Sequence, residues 1–384
     1  MTATIWLLSA VSFAVVAIMT VSVPLLPVLA GEFDISIGYA GIVVTAFALP
    51  YGAVQILLGP IGDKFGKIRV IAGSLALSTI FVLGSGLANS IENLATMRFF
   101  SGLSMAGTIP LAMAYIADEV PYETRQLVIG RYINGVVLGH IAGGVLGGFA
   151  AEYLDWRHIF FLFAGLCLIL SFLLWNKSSV EKIQPGRISI RSTMVLYQSV
   201  LLTKRSRQVI ITGTLEGIFI FGIFAYLGAY LRDSYDLGYG TVGLILGAYG
   251  LGGLFYAMVV PFLVRGLGEL KMIGLGSFFL GMSFLSFGFV DSWEYIVPLF
   301  FFAGFSFYVF HNTMQTHATE IAPDARGAGV SFWAFMLFFG QGFGVTVFGI
   351  LINNFGYKIT FSLAGFGIAV LGWWFRSQLA LRQN

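Results

Sequence analysis

Apolar residues in this chain come in long runs, not in the alternation of a half-buried strand or the narrow stripe of an amphipathic surface helix. Stretches near 5–30, 38–58, 70–89, 93–117, 127–151, 157–175, 208–231, 241–264, 271–290, 295–317, 328–352 and 358–378 are apolar on nearly every face, and short polar turns separate most of them. An α-helix rises 1.5 Å per residue, so about 20 residues cross a hydrocarbon layer of ~30 Å. The pattern predicts an all-α membrane protein with 12 transmembrane helices. A transmembrane β-barrel would need segments of about 10 residues with alternating polarity, whereas Ile71 to Leu87 is apolar on every face. The first run is too long for a signal peptide and lacks the basic leader and small-residue cleavage site, so it is expected to stay in the mature protein.

Composition agrees with lipid as the solvent. Apolar residues are 58% of the 384 positions and charged ones 10%, too little polar surface to cover a soluble globule. The net charge of +3 matters less than where the charges sit. Seventeen of the 21 Lys and Arg residues fall in the loops and tail on the side of the N-terminus, Arg157, Arg232 and Lys358 lie on the other side, and Arg98 lies within a span. The positive-inside rule then puts both termini in the cytoplasm of an integral multi-pass protein, expected in a bacterial inner membrane. The basic loops need no nucleic acid to explain them. A single cysteine, Cys167, cannot form an intramolecular disulfide and reads as a small apolar filler.

The longest polar interval divides the chain into an N-terminal bundle (1–175), a linker (176–207) and a C-terminal bundle (208–384). Within the linker, Ser192 to Thr203 fits either a short helix on the membrane surface, with Met194, Val195, Leu201 and Leu202 in lipid, or a plain flexible tether. A shift of 201 to 202 positions superposes Asp34 on Asp236, Gly66 on Gly268, Gly139 on Gly340, Gly143 on Gly344, and Trp156-Arg157 on Tyr357-Lys358. The halves read as parallel repeats enclosing a central cavity that rocking would expose on alternate faces.

The turn between spans two and three runs Gly59-Pro60-Ile61-Gly62-Asp63-Lys64-Phe65-Gly66-Lys67-Ile68-Arg69. Its glycine, aspartate, basic residue, second glycine and alternating basic pair match the cytoplasmic signature of the major facilitator superfamily at every fixed position, and the chain resembles that family. The resemblance implies two pseudo-symmetric six-helix bundles and a conformational latch. In it Asp63 would reach the N-terminus of the eleventh helix near Gly327-Ala328-Gly329, where the helix dipole favours an anion. Arg69 would pair with Asp118 or Glu119 at the foot of span four. Lys64 and Lys67 fit either the latch or a merely solvated basic loop. Span five reads Gly135, Gly139, His140, Gly143, Gly144, Gly147, Gly148, close to the family's antiporter pattern except that His140 stands where proline is expected. Its glycine face would pack closely on a neighbour from the other half.

Ionisable residues inside spans are the functional candidates. Arg98 either faces a partner or water inside the bundle or snorkels to the interface. Glu216, in an otherwise apolar span seven, can stay neutral in one conformation and ionise when water reaches it in another. Tyr308, His311 and Gln315 share a face of span ten, and His311 and Glu216 lie at similar depths, roughly 8–9 and 12 Å from one boundary at 1.5 Å per residue, so they could meet. Glu216, His311 and His140 are the proton-coupling candidates, against a static polar lock for the first two and a packed histidine for the third. The resemblance places spans one, four, seven and ten around the cavity. Its candidates are Arg98, Tyr308, Gln315, Phe219 and Tyr226, with Tyr249, Phe305 and Phe335 as further apolar lining. His158 and His317 read as structural.

With no phosphate-binding loop, no Ser-His-Asp motif and no metal-ligand spacing, neither enzyme chemistry nor a cofactor or metal is expected. The expectation is a monomeric transporter that exports a small amphipathic organic compound in exchange for protons. The alternative is uptake or facilitated diffusion of a small organic acid or sugar, with Arg98 or His311 grasping an anion.

Overall fold

The computed structural model describes residues 2–178, 198, 203–322 and 326–383, so the surface-helix expectation at 192–203 lies largely outside the described residues. Among the latter the ordered segments are helical, ten of them long and apolar enough to cross a membrane. Two of the ten are double. Tyr239–Phe287 breaks at Gly268, with φ 70°, and Arg326–Gln383 breaks at Gly356, with φ 75°. A straight helix of 49 residues would be about 74 Å long, far beyond one bilayer, and a left-handed glycine costs no Cβ clash. Splitting both helices at those glycines gives the twelve spans expected. The outward surface is oily, with Phe172, Phe262 and Trp373 each about 70% exposed, as a lipid-facing wall requires.

Three spans are interrupted near the middle of the bundle. Span one divides into Thr2–Thr20 and Ser22–Glu32, span four into Ile91–Met105 and Thr108–Glu119, and span seven into Lys204–Glu216, a π-helix over Gly217–Gly222, and Leu227–Tyr235. Span ten, Trp293–Ala318, is continuous.

The repeat is visible atom by atom. Gly139 of span five packs on the carbonyl oxygen of Phe13 and Gly143 on that of Ala17, while Gly340 of span eleven packs on Thr214 O and Gly344 on Ile218 O. Both members of each contact move by the same 201 positions. Trp156 Nε1 donates to the Glu32 carboxylate, and 201 positions on Tyr357 Oη donates to Asp233 at 2.6 Å. Asp34 and Asp236 both sit in the left-handed region, at φ 50° and 48°, which aspartate tolerates better than bulkier residues.

The N-terminus and the turns after even-numbered spans share one face, called here the terminal face. The halves are pinned together toward the opposite, distal face. The Gly38 amide donates to Asn353 Oδ1 at 3.2 Å, Asn353 Nδ2 donates to Ser36 Oγ at 3.0 Å, and Gly240 N donates to Glu152 at 3.4 Å. Deeper in, the Thr45 hydroxyl donates to Gly342 O at 3.3 Å.

Candidate functional site

Glu216 closes the regular helix of span seven, and the wider π-turn begins at the next residue, a local distortion that often marks functional positions. Gly217 lets span seven approach the backbone of span eleven at Leu337 and Gln341. The carboxyl is 0% exposed. Its Oε1 lies 2.6 Å from His311 Nδ1 on span ten, so the two residues that helical counting put at similar depth do meet. The imidazole stacks on Phe307 at 5.0 Å, with Phe221 edge-on at 5.8 Å and Trp333 at 5.7 Å.

Three buried polar atoms near this pair have no hydrogen-bond partner: Glu216 Oε2, Trp333 Nε1 and Gln341 Oε1. An unmatched buried polar atom costs free energy and calls for an explanation; a carboxylate in that position is the most costly kind. The pair can hold a proton in two ways, as carboxylate with imidazolium or as carboxylic acid with neutral imidazole. In either form the histidine of the pair sits among aromatic rings.

The other residues of this face diverge. Tyr308 stacks on Tyr256 at 6.3 Å and covers Gly253 of span eight, while Gln315 is exposed one turn beyond His311. His140 hydrogen-bonds through Nδ1 to the Val136 carbonyl at 3.1 Å. That bond assigns the Nδ1 proton to the donor side and leaves Nε2 free. His140 is close enough to His311 for their charges to interact across the halves.

Arg98 corrects the cavity expectation. It is 1% exposed and spends its donors on backbone, Nη1 on Ile18 O at 2.8 Å, Nη2 on Met19 O at 3.4 Å and Nε on Val43 O at 3.4 Å, with its guanidinium 4.4 Å over the Phe47 ring. Ile18 and Met19 immediately precede the break in span one. Arg98 therefore acts as a tie between spans one, two and four; it neither snorkels nor joins Glu216.

The latch also differs from expectation. Lys67, not Arg69, reaches Asp118, at 2.8 Å, and the same ammonium holds Asp63 at 2.8 Å. Lys67 opens span three directly beneath the foot of span four, whereas Arg69 is exposed, as is Glu119. Lys64 lies over the Phe65 ring at 5.1 Å, and Gly66, φ 90°, makes the turn. The side chains at Gly59 and at Gly327-Ala328 lie outside the described residues, as does any contact of Asp63 with them.

Three more placements depart from the expected ones. In span five, Gly135, Gly139 and Gly143 pack on span one of their own half, and Gly144 with Gly148 meets Gly243 of span eight across the halves. The glycine face is two faces, because a row at i, i+4, i+8 and the neighbour at i+1 point about 100° apart. Phe219 lines an apolar groove of about 510 Å³ between spans seven, eleven and twelve, next to Phe348 and Trp374, so it belongs to the C-terminal half's own wall. Tyr226, 0% exposed, donates its hydroxyl to Val345 O at 2.7 Å and across the halves to Gly38 O at 3.3 Å. It seals the distal side and does not line an open cavity. Sequence reasoning missed Trp333 and Gln341; their i, i+8 spacing with Leu337 between was the available signal.

The comparisons fit this architecture. A relative from Bacillus subtilis (strain 168), the uncharacterized MFS-type transporter YceJ, is 26% identical over 353 residues, covering 91% of this chain and 89% of its own. The inner membrane transport protein YnfM of Escherichia coli (strain K12) is 26% identical over 59% of this chain and 55% of its own. Among solved structures, the nucleoside transporter NupG superposes with a TM-score of 0.80 at 14% identity, covering 97% of this chain and 98% of its own. A bacterial homologue of the human lysosomal transporter Spinster gives 0.71 at 16%, over 99% and 95%. The sequence pattern of the Major Facilitator Superfamily matches residues 7–323, more than four-fifths of the chain, and the chain belongs to that family of membrane transporters.

Proposed function

We propose that this transporter exports a small amphipathic organic compound in exchange for protons, by alternating access, acting as a monomer with both termini cytoplasmic. The observation that carries the reading is the Glu216–His311 contact: a fully buried carboxyl at 2.6 Å from an imidazole, beside a π-turn, in a helix that the halves' rocking would move. Such a pair releases its proton when water reaches it and regains it when closed off. Distal pins at Ser36, Gly38 and Asn353 support a resting form open toward the terminal face, from which an exporter loads.

The uptake reading for an organic acid leans on Arg98 or His311 as an anion clamp; Arg98 has its donors committed to backbone carbonyls, and His311 Nδ1 is engaged by Glu216. Transport in inverted vesicles of a compound panel, with and without a pH gradient, tests the proposal. Gradient-driven movement is expected in the wild type and not in Glu216→Gln expressed at the same level. A Glu216→Gln variant with wild-type proton dependence would remove this pair from the mechanism.

A further inference from the structure

The chemistry around Glu216 also narrows what the transporter carries. The histidine bonded to this carboxyl is walled by aromatic rings: Phe221, Phe307 and Trp333 surround it, and Tyr249 of span eight lies 5.8 Å from Phe307. Ring faces attract cations and repel anions. We propose that this site takes a hydrophobic organic cation, a monovalent ammonium whose charge replaces the His311 imidazolium against the Glu216 carboxylate; the inference rests on the proton-exchange reading above.

Three observations support it. Glu216 Oε2 is buried and unpartnered, so the carboxylate has acceptor capacity that His311 does not use. An imidazolium stacked on Phe307 and bonded to Glu216 is itself a cation in an aromatic box. His311, with 16% of its side chain exposed against 0% for Glu216, is the more accessible partner of the pair. The charge balance points the same way. Among the described residues the other buried side chains of the Asp, Glu, Lys, Arg and His types are Arg98 and His317; Arg98 is tied to backbone in the other half, and His317 faces Glu269 at 3.7 Å. An anion would meet Glu216 and no free positive charge. The titratable groups facing the pair are Tyr249, within electrostatic reach of Tyr308 and Glu216, and His140 across the halves.

In the exchange, the imidazolium N–H bond to its proton breaks, the proton goes to bulk water, the neutral imidazole swings off, and the ammonium takes its place against a carboxylate that stays ionised. One monovalent cation replaces one proton, so the site's net charge is conserved.

Calorimetry on the full-length protein in nanodiscs tests this with phenethyltrimethylammonium and its neutral isostere (3,3-dimethylbutyl)benzene, and with the naphthyl versions of both. Buffers of different ionisation enthalpy count the protons. The cation is expected to bind at least about tenfold tighter than its isostere and release one proton, with affinity rising about tenfold per pH unit while His311 is protonated. Glu216→Gln should abolish the cation preference; His311→Gln should keep it and release no proton. Equal binding of cation and isostere at both ring sizes, or a preference that survives Glu216→Gln, overturns the assignment. If gradient-driven transport in vesicles persists while the cation preference is absent, the substrate class falls and proton exchange stands. If both are absent, the reading beneath falls with it.

Discussion

Replacing Tyr226 by phenylalanine tests whether the distal seal is a working gate. The ring is wholly buried and would stay in place; the change deletes one oxygen. That oxygen donates to Val345 O, which holds it in position within the C-terminal half, and to Gly38 O at 3.3 Å, which crosses to the other half. The loss should approach the net value of an ordinary hydrogen bond, about 0.5–1.5 kcal/mol. Removed from the distal-closed form alone, it multiplies the open-to-closed ratio by roughly 2 to 12. A minor open form near 5% would rise to roughly 10–40%. Spin labels at Tyr39 and Asn354, exposed and on opposite halves, in a Cys167→Ser background, read this as growth of a longer distance component. Gly349→Ala provides an independent perturbation, since the added methyl would collide with the same phenol oxygen and with Gly38, and should move the distribution further. Identical distributions for wild type and both variants would show that the distal contacts do not set the resting state.

Other outcomes follow from the same geometry. Arg98→Met strips charge-assisted bonds from Ile18 O and Met19 O, each worth about 1.5–3 kcal/mol, and should lower Tm in detergent by several degrees; an unaltered Tm would deny the tie between spans one, two and four. Gly139→Leu and Gly340→Leu occupy equivalent positions against Phe13 O and Thr214 O, and steric overpacking should destabilise both to a similar degree, typically about 1–3 kcal/mol. Injury confined to one half would contradict the repeat at this contact. Asp63→Asn should weaken the Asp63–Lys67–Asp118 chain and raise cysteine labelling from the terminal face if the turn acts as a latch; unchanged labelling on both faces counts against it.

What was legible in the sequence was what depends on distance along a helix. Apolar run length marked twelve spans, including the four that merge into two long helices at Gly268 and Gly356. Rise per residue put Glu216 and His311 at one depth, and the 201-residue shift placed Gly139 and Gly340 at matching contacts. What was not legible depends on rotation about the helix axis and on rotamers. Neighbouring residues of span five point to different partners, so a glycine-rich string does not say whether Gly139 meets span one or span eight. Lys64, Lys67 and Arg69 are chemically alike, and only the turn at Gly66 decides that Lys67 reaches Asp118. Phe219 lies within the π-turn and Tyr226 beyond it, which breaks the angular bookkeeping that would have assigned their faces.

The repeat keeps its scaffold and gives up its symmetry where charge enters the membrane. Glycine contacts, left-handed aspartates and the carboxylate clasps of Trp156 and Tyr357 recur in both halves, because they set how helices stack. The buried charges do not recur. In the N-terminal half a permanently charged guanidinium is spent on carbonyls at a broken helix, which holds spans one, two and four in one arrangement. In the C-terminal half the buried group is a carboxyl whose partner can gain or lose a proton, with an acceptor to spare. In the proposed exchange cycle, the N-terminal half would keep its shape while the energy of the C-terminal half changes with protonation. Exchanging the two chemistries tests that division: Arg98→Gln with Glu216 intact should weaken the fold yet leave a proton-dependent site, whereas Glu216→Gln with Arg98 intact should leave a stable transporter that no longer responds to pH.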